Sequence, residues 1–427
     1  MSKKVLVIAY YFPPMAFSGV QRTTKFVKNM VYFDWQPTVL TIQPKSYYAF
    51  DTYLLEKLNQ LNVRIIRTKS PDPTQRIFDQ SKIRSDFIRK ILNRISQTIF
   101  LPDNKISWMR PALKEARKLL QKESFDIIYA TAPPYTSFLI ANQLKKEFDI
   151  PIILDYRDAW LDDVLSFYPT FIHRWIVKQM EKKVLYNSDK IITYTRQIKE
   201  HLLKNYKFLS PNEIVIIPHG FDREDFDLKF KSNKPFRKMR ITYSGIFYDE
   251  RTPKFFIEAV RRLFYEKPEL QNKIEFCFVG NFPKSQKKKI AKLKLLNAFN
   301  FIGYVDHQTS FQYLLDSDAL WLMIRHSKNP HLVATGKLFE YMGTGKFILA
   351  CVPENGAAAQ ILKKYKAYLI VEPEDVDGIK KAIYNIYEMY VSGELPAGDI
   401  NYIELFESKK LTQDLITIFQ FQMRNET

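Results

Sequence analysis

Residues 335–340, Thr-Gly-Lys-Leu-Phe-Glu, set a small front end, a cation and a carboxylate within two helical turns of one another. The stretch that holds them, VATGKLFEYMGTGKFILAC (Val333–Cys351), reads as a short helix opening at Gly336, stopped by Gly343-Thr344-Gly345, and followed by an apolar strand. The free N–H groups and dipole of a helix start suit a phosphate, and small residues there let one come close. It is not a Walker A loop. His331 and Glu340, not Gly, stand five residues before the two Gly-Lys pairs, and Leu338 or Phe347 follows where Ser or Thr is required. No G-x-G-x-x-G follows an apolar run and no G-x-S-x-G elbow occurs, so dehydrogenase, P-loop ATPase and common hydrolase chemistries lose their signatures. The six His are scattered without H-E-x-x-H or C-x-x-C, which argues against a metal site.

Other residues with chemical potential cluster where strands end. Asp155, Arg157 and Asp158 in LDYRDAW close one apolar run; they can contact an acceptor or act as a base, or they can form an internal Asp–Arg brace. Thr131 closes another run, in DIIYATAPPYTS. Gly19, after the first run, either lets the backbone approach a ligand or simply makes a turn. His219, in IPHGFD, reads as packing or loop structure.

These residues need elements to carry them, and the chain supplies a regular alternation. KKVLVIAYYF, QPTVLTIQ, NVRIIRT, DIIYATA, IPIILDY, KIITYT and EIVIIP read as strands, mostly continuous in apolarity, as expected of parallel strands covered on both faces. Helical spacing fills the gaps, for example at 21–33, 110–122 and 136–148. After the polar stretch DLKFKSNKPFRK a second series begins: RITYSG, KIEFCFVG, FNFIGYV, ALWLMIR, KFILACV and AYLIVEP, with helices at 253–265, 285–295, 309–315, 336–342 and 376–390. A helical tail spans 402–423. The prediction is two doubly wound α/β units in tandem, as 427 residues also demand, with ligands at the carboxyl ends of the strands.

Composition adds a charge anomaly. The formal net charge is +19, and residues 1–100 hold 16 Lys and Arg against 6 Asp and Glu. Such an excess favours phosphate-bearing partners or is a solvated lysine-rich surface. Within it, residues 84–99 place Phe87, Ile88, Ile91, Leu92, Ile95 and Ile99 on one helical face, with Arg89, Lys90 and Arg94 largely elsewhere. That helix either lies on an anionic membrane or packs on its own domain. Cys277 and Cys351 sit in apolar runs and read as small buried hydrophobes, consistent with a reducing compartment. Pro13-Pro14 and the lack of a small-residue cleavage site make the N-terminal run a first strand, not a signal peptide. No apolar run reaches the roughly 20 residues needed to span a bilayer, so the expectation is a cytoplasmic protein, free or peripheral on the inner membrane face.

Eight blocks in order, VIAYYFPPMAFSGVQRTTKF, DIIYATAPPYTSFLIA, ILDYRDAW, SDKIITYT, IVIIPHGFD, ITYSGIFYDERTPKFFIEAV, NFIGYV and TGKLFEYMGTGKFILA, resemble bacterial glycosyltransferase family 4 enzymes, from about residue 3 to about residue 420. The resemblance implies the GT-B fold: two facing Rossmann-like domains, residues 1–220 for the acceptor and 221–402 for a nucleotide-sugar donor, with residues 403–427 a helix crossing back onto the first domain. It implies a UDP- or GDP-linked sugar as donor, no cofactor or metal, no nucleic acid, and a saccharide or lipid-linked acceptor of an envelope polysaccharide. Arg251 and Lys254 match its basic diphosphate clamp, Gly245, Thr335, Gly336, Lys337 and Leu338 its donor-binding loops, and Glu340 its ribose-binding glutamate. Retaining transfer with front-face attack is the family's general mode. Leu332 stands where many members carry a second glutamate, and Thr131 and Ser137 stand where a histidine is common. The rival readings are a GT-B scaffold protein without transfer activity and a GT-B nucleotide-sugar epimerase.

Overall fold

The continuous apolar runs become parallel strands. A computed structural model describes residues 2–15, 18–44, 50–69, 94–162, 166–226, 238–247, 252–325 and 334–424. Strands β1 (Lys3–Ile8), β2 (Trp35–Ile42), β3 (Arg64–Thr68), β4 (Ile127–Ala132), β5 (Ile152–Tyr156), β6 (Lys190–Thr193) and β7 (Ile214–Ile216) form one sheet in the order β3-β2-β1-β4-β5-β6-β7. A second sheet orders β8 (Met239–Ser244), β9 (Ile274–Val279), β10 (Phe299–Gly303), β11 (Ala319–Met323), β12 (Phe347–Cys351) and β13 (Tyr368–Val371) as β10-β9-β8-β11-β12-β13. All the pairings are parallel. β4, β5, β11 and β12 are buried along their whole length, which is why they read as unbroken apolar runs and not as alternation. In both sheets the order reverses beside the first strand, between β1 and β4 and between β8 and β11. Open α/β sheets bind ligands at such points.

The chain divides into two compact units, Met1–Pro218 with Ser408–Thr427, and His219–Glu407. In the first, Val5, Val7, Phe26, Met30, Trp35, Val39 and Tyr129 share one core with Leu411, Leu415 and Phe419 of the tail helix Ser408–Arg424. Phe419 meets Trp35 edge-on at 5.2 Å between centroids, and Asn29 donates to Ser408 Oγ at 3.2 Å. The predicted tail helix breaks: residues Ile400–Ile403 make one short helix, and the long one starts only at Ser408. Asp399 caps the short helix, its carboxylate accepting from the N–H groups of Asn401 and Tyr402.

The second unit's core is aromatic, with Trp321 stacked 3.9 Å from Phe256. Both cysteines are buried, and burial pushes each thiol up to about 12, so neither is reactive. Of the predicted helix 84–99, residues 84–93 lie outside the described residues. Residues 94–99 are helical, with Ile95 and Ile99 exposed. Among the described residues no helix is long and apolar enough to cross a membrane.

Candidate functional site

In the second unit, three neighbouring strands end on glycine. Gly245, Gly280 and Gly303 all have positive φ (137°, 113° and 84°), a backbone state that side chains disfavour. Their amides link the strand ends: Gly245 N–H donates to Val279 O at 2.8 Å and Gly280 N–H to Gly303 O at 2.7 Å. A Cβ on Gly280 would strike the Gly245 carbonyl, and one on Gly245 would strike the Lys337 ammonium. The carboxyl edge of β8–β10 is therefore a floor of bare backbone. Gly280 and Gly303 were visible in the sequence as terminal glycines of apolar runs, but nothing else marked them as part of a site.

Over this floor stands the helix Gly336–Gly343. Tyr341, fully buried, fixes its position by accepting a hydrogen bond from Ser244 N–H at 2.8 Å. Leu338 and Phe339 point into the core, so Leu338 is a packing residue whose side chain cannot reach a donor. Its N–H is spent on Thr335 O at 3.0 Å. The helix stops because Gly345 takes the left-handed conformation (φ 69°) and its N–H bonds Met342 O. Gly343 lies against Phe221 and Phe226, where a Cβ would overlap their rings.

The front of this helix carries a hydroxyl, an ammonium and a carboxylate. Thr335 is the N-cap, yet its hydroxyl makes no capping bond and, though shielded from solvent, has no partner among the described residues. The Lys337 ammonium lies 3.9 Å from the centroid of the Tyr243 ring, a cation–π contact that holds it beside Gly245. Half-buried Glu340, one turn on, forms no hydrogen bond or ion pair among the described residues. His219 meets Phe339 edge-on at 6.0 Å, in keeping with a packing role. Lys254, exposed, opens the helix Lys254–Glu266 beyond β8, its ammonium 4.9 Å from the Phe255 ring. Arg251 and Leu332 lie outside the described residues. Gly245, Thr335, Gly336, Lys337 and Glu340 are thus gathered at one switch point.

The first unit's switch point differs. Asp155 is fully buried and takes Arg22 Nε at 3.0 Å, Arg22 Nη2 at 2.9 Å, Tyr129 OH at 2.7 Å and Thr131 Oγ1 at 3.3 Å. Burial pushes the Tyr129 hydroxyl well above its usual range, so it stays a donor. Arg22 also donates to Pro218 O at 2.6 Å and lies over the Phe26 ring. An internal Asp–Arg brace exists, but its arginine is Arg22, not Arg157. Asp155 and Thr131 are both enclosed. Arg157, itself buried, donates to the carbonyls of Gly19 and Pro133, so the close approach that Gly19 permits is that of the Arg157 guanidinium. Asp158 is half-buried in the bend after β5. Sequence reasoning missed Arg22 and Tyr129, which no local pattern sets apart from ordinary helix and strand residues. Among the described residues no cluster of three His, Cys, Asp or Glu could hold a metal ion.

Two tandem Rossmann-like parallel sheets, of seven and six strands, are the architecture of the GT-B fold. Residues 52–225 match the Glycosyltransferase Family 4 model and residues 224–397 the Glycosyl transferases group 1 model, and the chain belongs to this glycosyltransferase family. Its fold is that of a glycosyltransferase from Rickettsia africae ESF-5 (TM-score 0.68, 15% identity, 100% of both chains covered). Sucrose-phosphate synthase from Thermosynechococcus elongatus matches equally well (0.68, 14%, 100% of both). Anabaena HepE, solved in complex with UDP, also matches (0.63, 10%, 98% of this chain and 99% of that one). At these identities the likeness is one of fold. No curated protein sequence matches the chain.

Proposed function

We propose that the chain transfers a sugar from a UDP- or GDP-linked donor to an acceptor hydroxyl, with the donor held by the second unit. The observation that carries this is the front of the helix Gly336–Gly343: a cation held on an aromatic ring, with a hydroxyl and a carboxylate that have no partner among the described residues, over a glycine floor. A buried hydroxyl without a partner costs about 1–3 kcal/mol, which a bound oxygen of the ligand offsets. The diphosphate sits on the Gly336 and Lys337 end of the helix, with Lys337, Lys254 and Arg251 countering its charge, and Glu340 accepts from the ribose hydroxyls.

In the reaction the bond from the anomeric carbon to the leaving diphosphate oxygen breaks as the acceptor oxygen bonds to that carbon. The acceptor's proton passes to the leaving phosphate on the same face, so configuration is retained. The charge developing on the diphosphate is what the cations and helix amides stabilise. Asp158, half-buried in the bend after β5 of the first unit, contacts the acceptor. That acceptor is a lipid-linked oligosaccharide of envelope polysaccharide assembly, met at the cytoplasmic face of the membrane.

Thermal shift against UDP, GDP and a panel of their sugars tests the donor reading. A nucleotide at a hundred times its Kd stabilises the fold by about 2.7 kcal/mol. Stabilisation by one nucleotide series, lost in Lys337→Ala, is the expected result; indifference to every nucleotide overturns it. Release of free nucleotide only when acceptor is present separates transfer from epimerisation.

A further inference from the structure

The helix Phe171–Tyr186 lies outside every role assigned above, and it is built like a docking element. Thr170 caps it, accepting from His173 N–H. Val177, Glu181, Val184 and Leu185 face inward, while Phe171 (82% exposed), Ile172 (52%), Trp175 (60%) and Tyr186 (73%) face solvent. At 100° per residue Phe171, Trp175, Lys178, Lys182 and Tyr186 fall on one stripe, two aromatics at one end, two lysines in the middle and a tyrosine at the other. The stripe runs about 22 Å along the helix.

Charge decides what covers it. Glu181 is the only acid of the helix, and it is turned inward and buried, accepting from Tyr206 OH at 2.9 Å, so the exposed face is cationic. The cores of protein interfaces are depleted in lysine, whereas interfacial membrane helices pair aromatic residues with lysine on their wetted side. The apolar end continues onto Phe167, over which Arg94 lies at 5.3 Å, bringing in the exposed Ile95 and Ile99. We infer that the first unit docks on an anionic lipid bilayer through the stripe Phe171, Ile172, Trp175, Lys178, Lys182 and Tyr186, the aromatics entering the headgroup boundary and the lysines meeting lipid phosphates. The inference is independent of which sugar, if any, is transferred.

Of the five tryptophans only Trp175 is exposed; Trp35, Trp108, Trp160 and Trp321 are at most 2% exposed, so Trp175 is an intrinsic reporter. The full chain is titrated with vesicles of phosphatidylglycerol and phosphatidylcholine, and with phosphatidylcholine alone. A blue shift of tryptophan emission and co-sedimentation are expected with the anionic vesicles only, weakening as salt rises. Lys178→Gln/Lys182→Gln should bind roughly thirtyfold more weakly, since each cation near such a surface contributes a factor of about five. Phe171→Ser/Trp175→Ser should no longer sediment, while keeping the wild-type melting temperature and nucleotide response. No emission shift with anionic vesicles overturns the inference, as do wild-type sedimentation of Phe171→Ser/Trp175→Ser and equal binding to both vesicle types. A dimer that Phe171→Ser/Trp175→Ser dissolves, without vesicle binding, assigns the face to a second copy instead and also overturns it.

Discussion

The two sheets reverse strand order in the same way, yet the polar residues at their switch points are used in opposite ways. Between β1 and β4 they mostly bind one another: Asp155 is ringed by Arg22, Tyr129 and Thr131, and Arg157 donates to two carbonyls, with only its Nε lacking a partner among the described residues. Between β8 and β11 two are left over: Thr335 Oγ1 and the Glu340 carboxylate find no partners among the described residues, while Lys337 rests on an aromatic face. A buried polar group that is fully paired is scaffold, and one that is left unpaired is waiting for a ligand. Residue type alone does not separate the two cases, since both edges hold acids, cations and threonines after strands.

The contrast can be broken by substitution, and the largest effect falls on the closed network. Arg22→Leu leaves Asp155 buried without its cation, and should destabilise the fold by about 3–5 kcal/mol in denaturant melts while the nucleotide response of what remains folded is unchanged. A loss under 1 kcal/mol would show that the network is not closed. Glu181 sharpens the point for the same unit. Burial raises its carboxyl to about 8 from an ordinary 4.5, so the fold keeps it neutral while the unfolded chain ionises it. That contribution is full below pH 4.5 and is lost as pH rises through about 8, on the order of 5 kcal/mol. Glu181→Gln should flatten this part of the stability–pH curve; an unchanged slope would place the titration elsewhere.

At the open edge the effects move from stability to binding. Lys337→Ala should weaken nucleotide-diphosphate binding by roughly thirtyfold, about 2 kcal/mol for a charge-assisted contact, with the unliganded melting temperature within a degree or two of wild type. A fall in melting temperature without a fall in affinity would make Lys337 scaffold too. Smallest is Glu340→Gln, which keeps the shape and one acceptor and should cost about 1 kcal/mol of nucleotide affinity by calorimetry. No change there would remove the ribose from its assigned partner.

The strands were legible because a parallel strand covered on both faces must be apolar throughout, and LVIAYY, DIIYATA and KFILAC leave little choice. The helix over the donor edge was legible for a similar reason: a glycine-framed start and stop is local chemistry. What could not be read was any pairing across distance. Arg22 and Asp155 are 133 residues apart, and a strand-ending aspartate next to an arginine in sequence invites the wrong partner. Glu181 stands within a basic stretch that carries no sign of burial; only the phase of its helix against the first unit's core buries it. Exposure of Phe171 and Trp175 was equally hidden, because apolar residues at a helix start look the same whether they face a core or solvent.

The tail helix Ser408–Arg424 has a consequence for how the protein is made. Leu411, Leu415 and Phe419 complete the core of the first unit, but they are translated after the whole of the second. The ribosome therefore releases a first unit with a bare apolar face and holds it so for the time needed to synthesise some 190 further residues. The first unit finishes last, and a chain cut at Pro218 is a domain with its lid missing.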